Sequence, residues 1–218
     1  PEYLKDMGTP DRLKKVEEAL KNGKVAARNL NNKQRCVFLD RDGVINIDTD
    51  LIDHSEDLEL YPYAASSIRR LNKMGFLVVV VTNQSVIARG LCTIATLDEI
   101  HKKMETELGQ EGAFVEAIYY CPHHPHSGYE GEVKEYKIEC NCRKPKPGML
   151  LEAADRFNID LTKSYLVGDS ARDIEAGARA GVETIRVKTG HGLKPHTEVP
   201  MHYVADLVAA VDLIEGQS

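Results

Sequence analysis

One stretch constrains the rest of this chain: Cys36-Val37-Phe38-Leu39-Asp40-Arg41-Asp42-Gly43. Four apolar residues without polar alternation fit a strand buried on both faces, as in a parallel sheet covered by helices. The run stops at two carboxylates one residue apart, followed by glycine. In open α/β sheets the ligand crevice lies beyond the carboxyl ends of the strands, so Asp40 and Asp42 would project into it. A bare Asp-x-Asp-Gly is also an ordinary turn, and the remaining sequence has to decide between the two.

Strand and helix patterns alternate from Cys36 onward. Pro62 to Met74 has helical periodicity, with Ile68 and Leu71 on one face and Gly75 as its stop. Phe76 to Val81 is a second buried strand ending in Thr82-Asn83-Gln84-Ser85. A helix from Thr96 to Leu108 and a strand from Phe114 to Tyr120 follow, then a polar loop from Cys121 to Lys146. Helix Gly148 to Phe157, strand Tyr165 to Val167, helix Ala171 to Ala180 and strand Thr184 to Val187 continue the rhythm. Tyr203 to Ile214 reads as a short strand and a closing helix. This is the βαβ pattern of a doubly wound, Rossmann-like α/β fold with a parallel sheet.

The 218 residues, 42% of them hydrophobic, suffice for one sizeable core and a small appendage. A formal net charge of −6 argues against a general nucleic-acid or anionic-membrane surface. No apolar run reaches membrane-spanning length and no signal peptide opens the sequence. The cysteines number five, an odd count, and three cluster with histidines, which favours metal binding in a reducing cytoplasm over a disulfide framework.

That cluster lies in the polar loop. Cys121-Pro122-His123-His124-Pro125-His126 is followed by Cys140-Asn141-Cys142. Three cysteines and one histidine complete a tetrahedral zinc set, and a set filled by protein side chains is structural. We read Cys121, His123, Cys140 and Cys142 as the ligands, with His124 and His126 as alternatives that spacing leaves open. Few apolar residues lie between Gly128 and Tyr136, so Zn²⁺ would supply folding free energy that packing does not. Cys36 and Cys92 stand apart and need no role beyond packing.

Read together, the strand ends give Asp40 and Asp42, Thr82, and Asp169 with Asp173 shortly after. Cys142-Arg143-Lys144-Pro145-Lys146-Pro147-Gly148 lies between the last two groups. In this order, from Val37 to Val187, the four motifs resemble those of the haloacid dehalogenase superfamily of phosphohydrolases. The resemblance implies Asp40 as a nucleophile forming an aspartyl-phosphate, and Asp42 as the general acid and base. It implies a catalytic Mg²⁺ held by Asp40, the Asp42 backbone carbonyl and Asp169, with Asp173 behind as orienter of metal-bound water. Thr82 and Lys144 would stabilise the transferring phosphoryl oxygens. Taken singly, Thr82-Asn83 also fits a helix cap, Lys144 a solvated charge, and Asp173 a residue favouring its helix N-terminus.

Tyr119 to Pro125, Cys140 to Leu150, Leu39 to Asn46 and Val81 to Ser85 with Ile87-Ala88-Arg89-Gly90 closely resemble D-glycero-D-manno-heptose-1,7-bisphosphate 7-phosphatases. Histidinol-phosphate phosphatases share much of the pattern and form the alternative. The heptose resemblance implies a zinc loop beside an active site with no large cap domain. The substrate would be a small phosphorylated sugar in nucleotide-activated heptose synthesis for lipopolysaccharide or S-layer precursors. Arg143 would contact its remaining phosphate, and Asp48, Thr49, Asp50, Leu51, Asn83, Gln84 and Ser85 its sugar. Two positions depart from that pattern. Val86 replaces a usual glycine, which predicts a changed turn, and Ser170 replaces a usual lysine at the substrate's edge.

The domain organisation read from this is an N-terminal helix and linker over residues 1–34, then the phosphatase domain over 35–218 with its zinc loop at 121–142. Thr9-Pro10 starts an amphipathic helix that Gly23 ends, and Asn29 to Gln34 is polar enough for a linker. The sequence begins at Pro1, not Met, and Tyr3 to Leu13 resembles the closing segment of sugar-1-phosphate nucleotidyltransferases. That resemblance implies a preceding nucleotidyltransferase domain, and through it the α-anomeric bisphosphate. The alternative is an ordinary terminal helix on a monomeric domain.

Overall fold

The computed structural model describes residues 4–128, 130–192 and 200–217; the readings placed on Pro1 and Tyr3 lie outside them. Six strands form one sheet: β1 (Cys36–Leu39), β2 (Leu77–Asn83), β3 (Ala117–Cys121), β4 (Tyr165–Gly168), β5 (Glu183–Val187) and β6 (His202–Val204), ordered β3-β2-β1-β4-β5-β6. Every pairing is parallel. The order runs outward from β1 in both directions, so the switch point falls between β1 and β4.

The lack of polar alternation in the strands has a direct cause. Val37, Leu39, Val78 and Val80 face α3 (Ala64–Lys73), α4 (Ile94–Gln110) and α7 (Leu207–Gly216). Cys36, Phe38, Val79 and Val81 face α5 (Gly148–Phe157) and the small residues of α6 (Ala171–Ala180). Each fully buried Val, Leu or Phe contributes about 1.5–3 kcal/mol, so two covered faces anchor the strand ends firmly. Between β1 and α3 the chain forms only a 3-10 turn at Ser55–Asp57 among loops, and the described residues hold no large cap.

Several boundaries differ from the sequence reading. Helix α4 starts at Ile94, not Thr96, because Thr93 is the N-cap and its hydroxyl accepts the Thr96 N–H at 3.1 Å. Strand β3 begins at Ala117, since Phe114 is half exposed and its backbone N–H and C=O are held by the Asn72 side chain. Its last residue is Cys121, so the strand itself carries the first cysteine of the cluster. Strand β2 runs on through Thr82 and Asn83.

At the N-terminus, α1 (Pro10–Lys21) is capped by Thr9, with Gly23 beyond its end at φ 76, and a short α2 (Lys24–Ala27) follows unanticipated. The polar stretch after it is tied to the domain: Gln34 N–H donates to Asn158 O at 2.9 Å and Asp160 N–H to Gln34 O at 2.8 Å. Among the described residues no helix is long and apolar enough to cross a membrane.

Candidate active site

The ends of β1, β2 and β4 surround a cavity of about 420 Å³. Asp40 continues β1, its N–H donating to Val167 O at 3.0 Å, so its carboxylate stands at the switch point. Asp169 follows β4 beside it. Gly43 (φ 77) and Gly190 (φ 53) close over the Asp169 carboxylate, and a Cβ on either would collide with it. This is why the paired aspartates end in glycine.

Asp42 is gripped from three sides. Arg41 Nε and Nη2 donate to its two oxygens at 3.0 and 3.1 Å, Asn46 Nδ2 to Oδ1 at 3.0 Å and Gln84 Nε2 to Oδ2 at 3.0 Å. Burial alone would raise its pKa; the Arg41 charge and these hydrogen bonds outweigh burial and hold it below the usual carboxylate range. Asp40 moves the other way, raised by burial and by the Asp173 charge, with Lys144 only partly offsetting them. Asp169 is pushed up to about 6 by burial and Asp173.

Lys144 is buried, with Nζ 3.0 Å from Asp40 Oδ1 and 2.5 Å from Asp173 Oδ1, and it donates to Val81 O at 2.8 Å. The duller reading of Lys144 as a solvated charge is therefore excluded. Asp173 also accepts from Ser170 N–H and Oγ at 3.0 and 2.5 Å, capping the start of α6. The reading of Asp173 as a residue of its helix start is thus seen directly, and the same carboxylate also pairs with Lys144.

Asp40, Asp169 and Asp173 bring carboxylate oxygens within 4.8 Å of one another. The Lys144 ammonium pairs with two of these carboxylates, Asp40 and Asp173, and burial together with the Asp173 charge raises Asp40 and Asp169. Hard oxygen donors with uncompensated charge fit Mg²⁺.

The other expected contacts divide. Asp48, Asp50, Leu51, Ser85, Arg143 and Ser170 line the cavity, whereas Thr49 is exposed and does not. Asn83 and Gln84 border it, but their amides face the protein. Asn83 pairs with the Lys144 backbone at 3.0 Å twice over, and Gln84 donates to Asp42 and Thr82 while accepting from Arg41. They hold the site rather than offer donors to a sugar. Thr82 Oγ1 accepts from Gln84 at 2.8 Å, which leaves its own proton for an incoming oxygen.

Val86 takes no positive φ, as a β-branched residue in this turn requires. It packs in the main core and sits in a turn closed by Arg89 N–H to Ser85 O at 3.0 Å. Sequence reasoning also missed wall residues: Arg89, His124, Arg172 and His191 line the cavity, and Arg41 lies buried beneath it. Arg41 stood between the two aspartates and Arg89 within a matching motif; Arg172 and His191 gave no signal.

Cys121, His123, Cys140 and Cys142 form a second group whose ligand atoms lie within 4.8 Å of one another. The Sγ separations are 3.1 to 3.5 Å and His123 Nδ1 is 3.4 Å from Cys142 Sγ. This set could hold zinc. His124 instead turns to the cavity, its Nδ1 3.2 Å from His126 O, so neither alternative histidine joins the cluster. Hydrogen bonding from Cys121 brings Cys142 down to about 5, giving a thiolate for a metal. The cluster abuts the cavity, because Arg143 Nη1 donates to His123 O at 2.9 Å.

Residues 141–211 match the family described as HAD-hyrolase-like. The chain is 42% identical over 174 residues to the D-glycero-beta-D-manno-heptose-1,7-bisphosphate 7-phosphatase of Escherichia coli O6:H1, covering 79% of this chain and 90% of that protein. It is 45% identical over 163 residues to the enzyme of the same name from Vibrio cholerae, covering 74% and 84%. The crystal structure of D,D-heptose 1,7-bisphosphate phosphatase from B. bronchiseptica, complexed with magnesium and phosphate, superposes with a TM-score of 0.75 at 38% identity, covering 85% of this chain and all (100%) of that one.

Proposed function

Because the chain belongs to the family of heptose-1,7-bisphosphate 7-phosphatases within the haloacid dehalogenase-like hydrolases, we propose that it removes the C7 phosphate of D-glycero-D-manno-heptose 1,7-bisphosphate. The heptose reading stands over histidinol phosphate. Asp40 attacks phosphorus, the P–O bond to C7 breaks, and an aspartyl-phosphate forms. Asp42 delivers a proton to the departing alkoxide; the dianionic phosphate beside it raises its proton affinity when substrate arrives. In the second half Asp42, held as a carboxylate by Arg41, Asn46 and Gln84, takes a proton from the water that releases phosphate. Lys144 and the Thr82 hydroxyl balance charge on the phosphoryl oxygens. Mg²⁺ held by Asp40, the Asp42 backbone carbonyl and Asp169 would neutralise that charge further.

The observation that carries this reading is the mixed charge of the cavity lining. Asp40, Asp42 and Asp169 share it with three guanidiniums, those of Arg143, Arg89 and Arg172. Burial and the charges of Arg172 and Arg89 lower the pKa of Arg143, with Cys121 and Cys140 acting against them, so three cations gather beside the cysteine cluster. Gathered guanidiniums suit a phosphate that stays bound while its partner is cleaved. Arg172 then supplies the positive charge that Ser170, engaged in capping Asp173, does not.

In the adjoining loop Zn²⁺ would be held by Cys121, His123, Cys140 and Cys142, fixing Arg143 through His123 O. Reduced cysteines fit a cytoplasmic enzyme of nucleotide-activated heptose synthesis acting as a monomer. A preceding nucleotidyltransferase domain would favour the α anomer, while the curated relatives are named for the β anomer. Phosphate release from both anomers and from histidinol phosphate tests the proposal. Preference for either heptose substrate supports it, and preference for histidinol phosphate contradicts it.

A further inference from the structure

The loop after β5 brings one more side chain to the cavity, and its placement is rigid. His191 N–H donates to Asp169 Oδ2 at 2.6 Å and its carbonyl accepts from Arg186 Nη2 at 3.3 Å. On either side Thr189 Oγ1 donates to Gly43 O, and Tyr203 Oη to Gly192 O at 2.7 Å. The imidazole therefore stands over the wall formed by the segment after β1. Its Nε2 lies 3.2 Å from Asp48 Oδ2 and 3.6 Å from Asp50 Oδ1. Asp50 is held at φ 76, with its N–H donating to Asp48 Oδ1 at 2.8 Å, and its side chain is 84% exposed at the cavity mouth.

This wall adjoins Asp169, with ligand atoms of Asp48, Asp169 and His191 within 4.8 Å of one another. Its carboxylates repel phosphate, so a phosphate group does not settle against them. Carboxylate oxygens beside an imidazole instead offer acceptors next to a ring that donates or accepts, which matches a run of hydroxyls. The two carboxylates come from one loop and the imidazole from another, and both reach the same cavity. We propose that His191 is a specificity-determining residue that binds the hydroxyls of the substrate's carbon chain, together with Asp48 and Asp50. The proposal rests on the reading of the cavity as a sugar-bisphosphate site and adds to it a contact outside the four motifs.

The test compares heptose 1,7-bisphosphate with p-nitrophenyl phosphate, which has no hydroxyls, as substrates of wild type, His191→Ala and His191→Gln with Mg²⁺ present. The ratio of their kcat/KM values falls about tenfold in His191→Ala, through a higher KM for the sugar, and recovers in part in His191→Gln. A ratio unchanged in His191→Ala overturns the proposal. So does a parallel loss of kcat on both substrates, which would make His191 merely a support for Asp169. The wild-type enzyme alone tests the underlying reading: if it prefers another phosphorylated polyol, that compound replaces the heptose in the ratio.

Discussion

Asn83 clamps the backbone of Lys144: its Oδ1 accepts the Lys144 N–H at 3.0 Å and its Nδ2 donates to the Lys144 carbonyl at 3.0 Å. A residue at the end of β2 thereby fixes a loop lysine against the carboxylates of β1 and α6. Asn83→Ala removes both bonds, at about 1 kcal/mol each, and frees the lysine to move. The expected result is a kcat lowered about tenfold with KM little changed, measured by steady-state kinetics.

Removing the ammonium itself is more severe. Lys144→Met leaves Asp40, Asp169 and Asp173 with no cation between them. Turnover should fall about 10²–10³-fold, the size of effect seen when one charge-stabilising donor is lost. Thermal unfolding should show a destabilised protein in Mg²⁺-free buffer and partial recovery on adding Mg²⁺.

The same carboxylates make metal stabilisation pH-dependent. Asp169 titrates at about 6 in the folded protein, above its usual 3.8. Between these values the folded state holds more protons than the unfolded one, so this group's stability contribution falls as pH rises through the window. Asp40 shifts in the same direction. A divalent cation relieves the cost only where the carboxylates are ionised. The rise in Tm on adding Mg²⁺ should therefore be larger at about pH 7.5 than at about pH 5. His101, lowered to about 3 chiefly by burial, favours higher pH but does so with or without Mg²⁺, so the difference isolates the carboxylates.

Gln84 offers a separate handle on the acid–base step. Its amide donates to Asp42 and helps hold that carboxyl low. Gln84→Leu should raise the Asp42 pKa and move the acid limb of the pH–rate profile to higher pH.

At the cysteine cluster, Cys142→Ser should lower the zinc content below one ion per chain, measured by elemental analysis, and reduce Tm. Because Arg143 is tied to His123 O, the kinetic effect should fall mainly on KM for the bisphosphate.

Much of this was legible in the sequence because it is local. Cys36 to Leu39 could only be a doubly covered strand, and Asp40, Asp42, Thr82 and Asp169 followed from where strands stop. Cys121, His123, Cys140 and Cys142 were readable from ligand type and spacing, though setting aside His124 and His126 needed coordinates. What escaped depends on contacts between distant segments. Gln84 and Asn83 look like turn residues until Asp42 and Lys144 are seen beside them. Arg172 and His191 reach the cavity only through the packing of α6 and the β5 loop.

The most direct test of the account is phosphate release from D-glycero-D-manno-heptose 1,7-bisphosphate by wild type and Asp40→Asn, with the product's remaining phosphate located by NMR. The account predicts Mg²⁺-dependent release from C7 by wild type and none by Asp40→Asn. Turnover that survives Asp40→Asn, or loss of the C1 phosphate in place of C7, would contradict it.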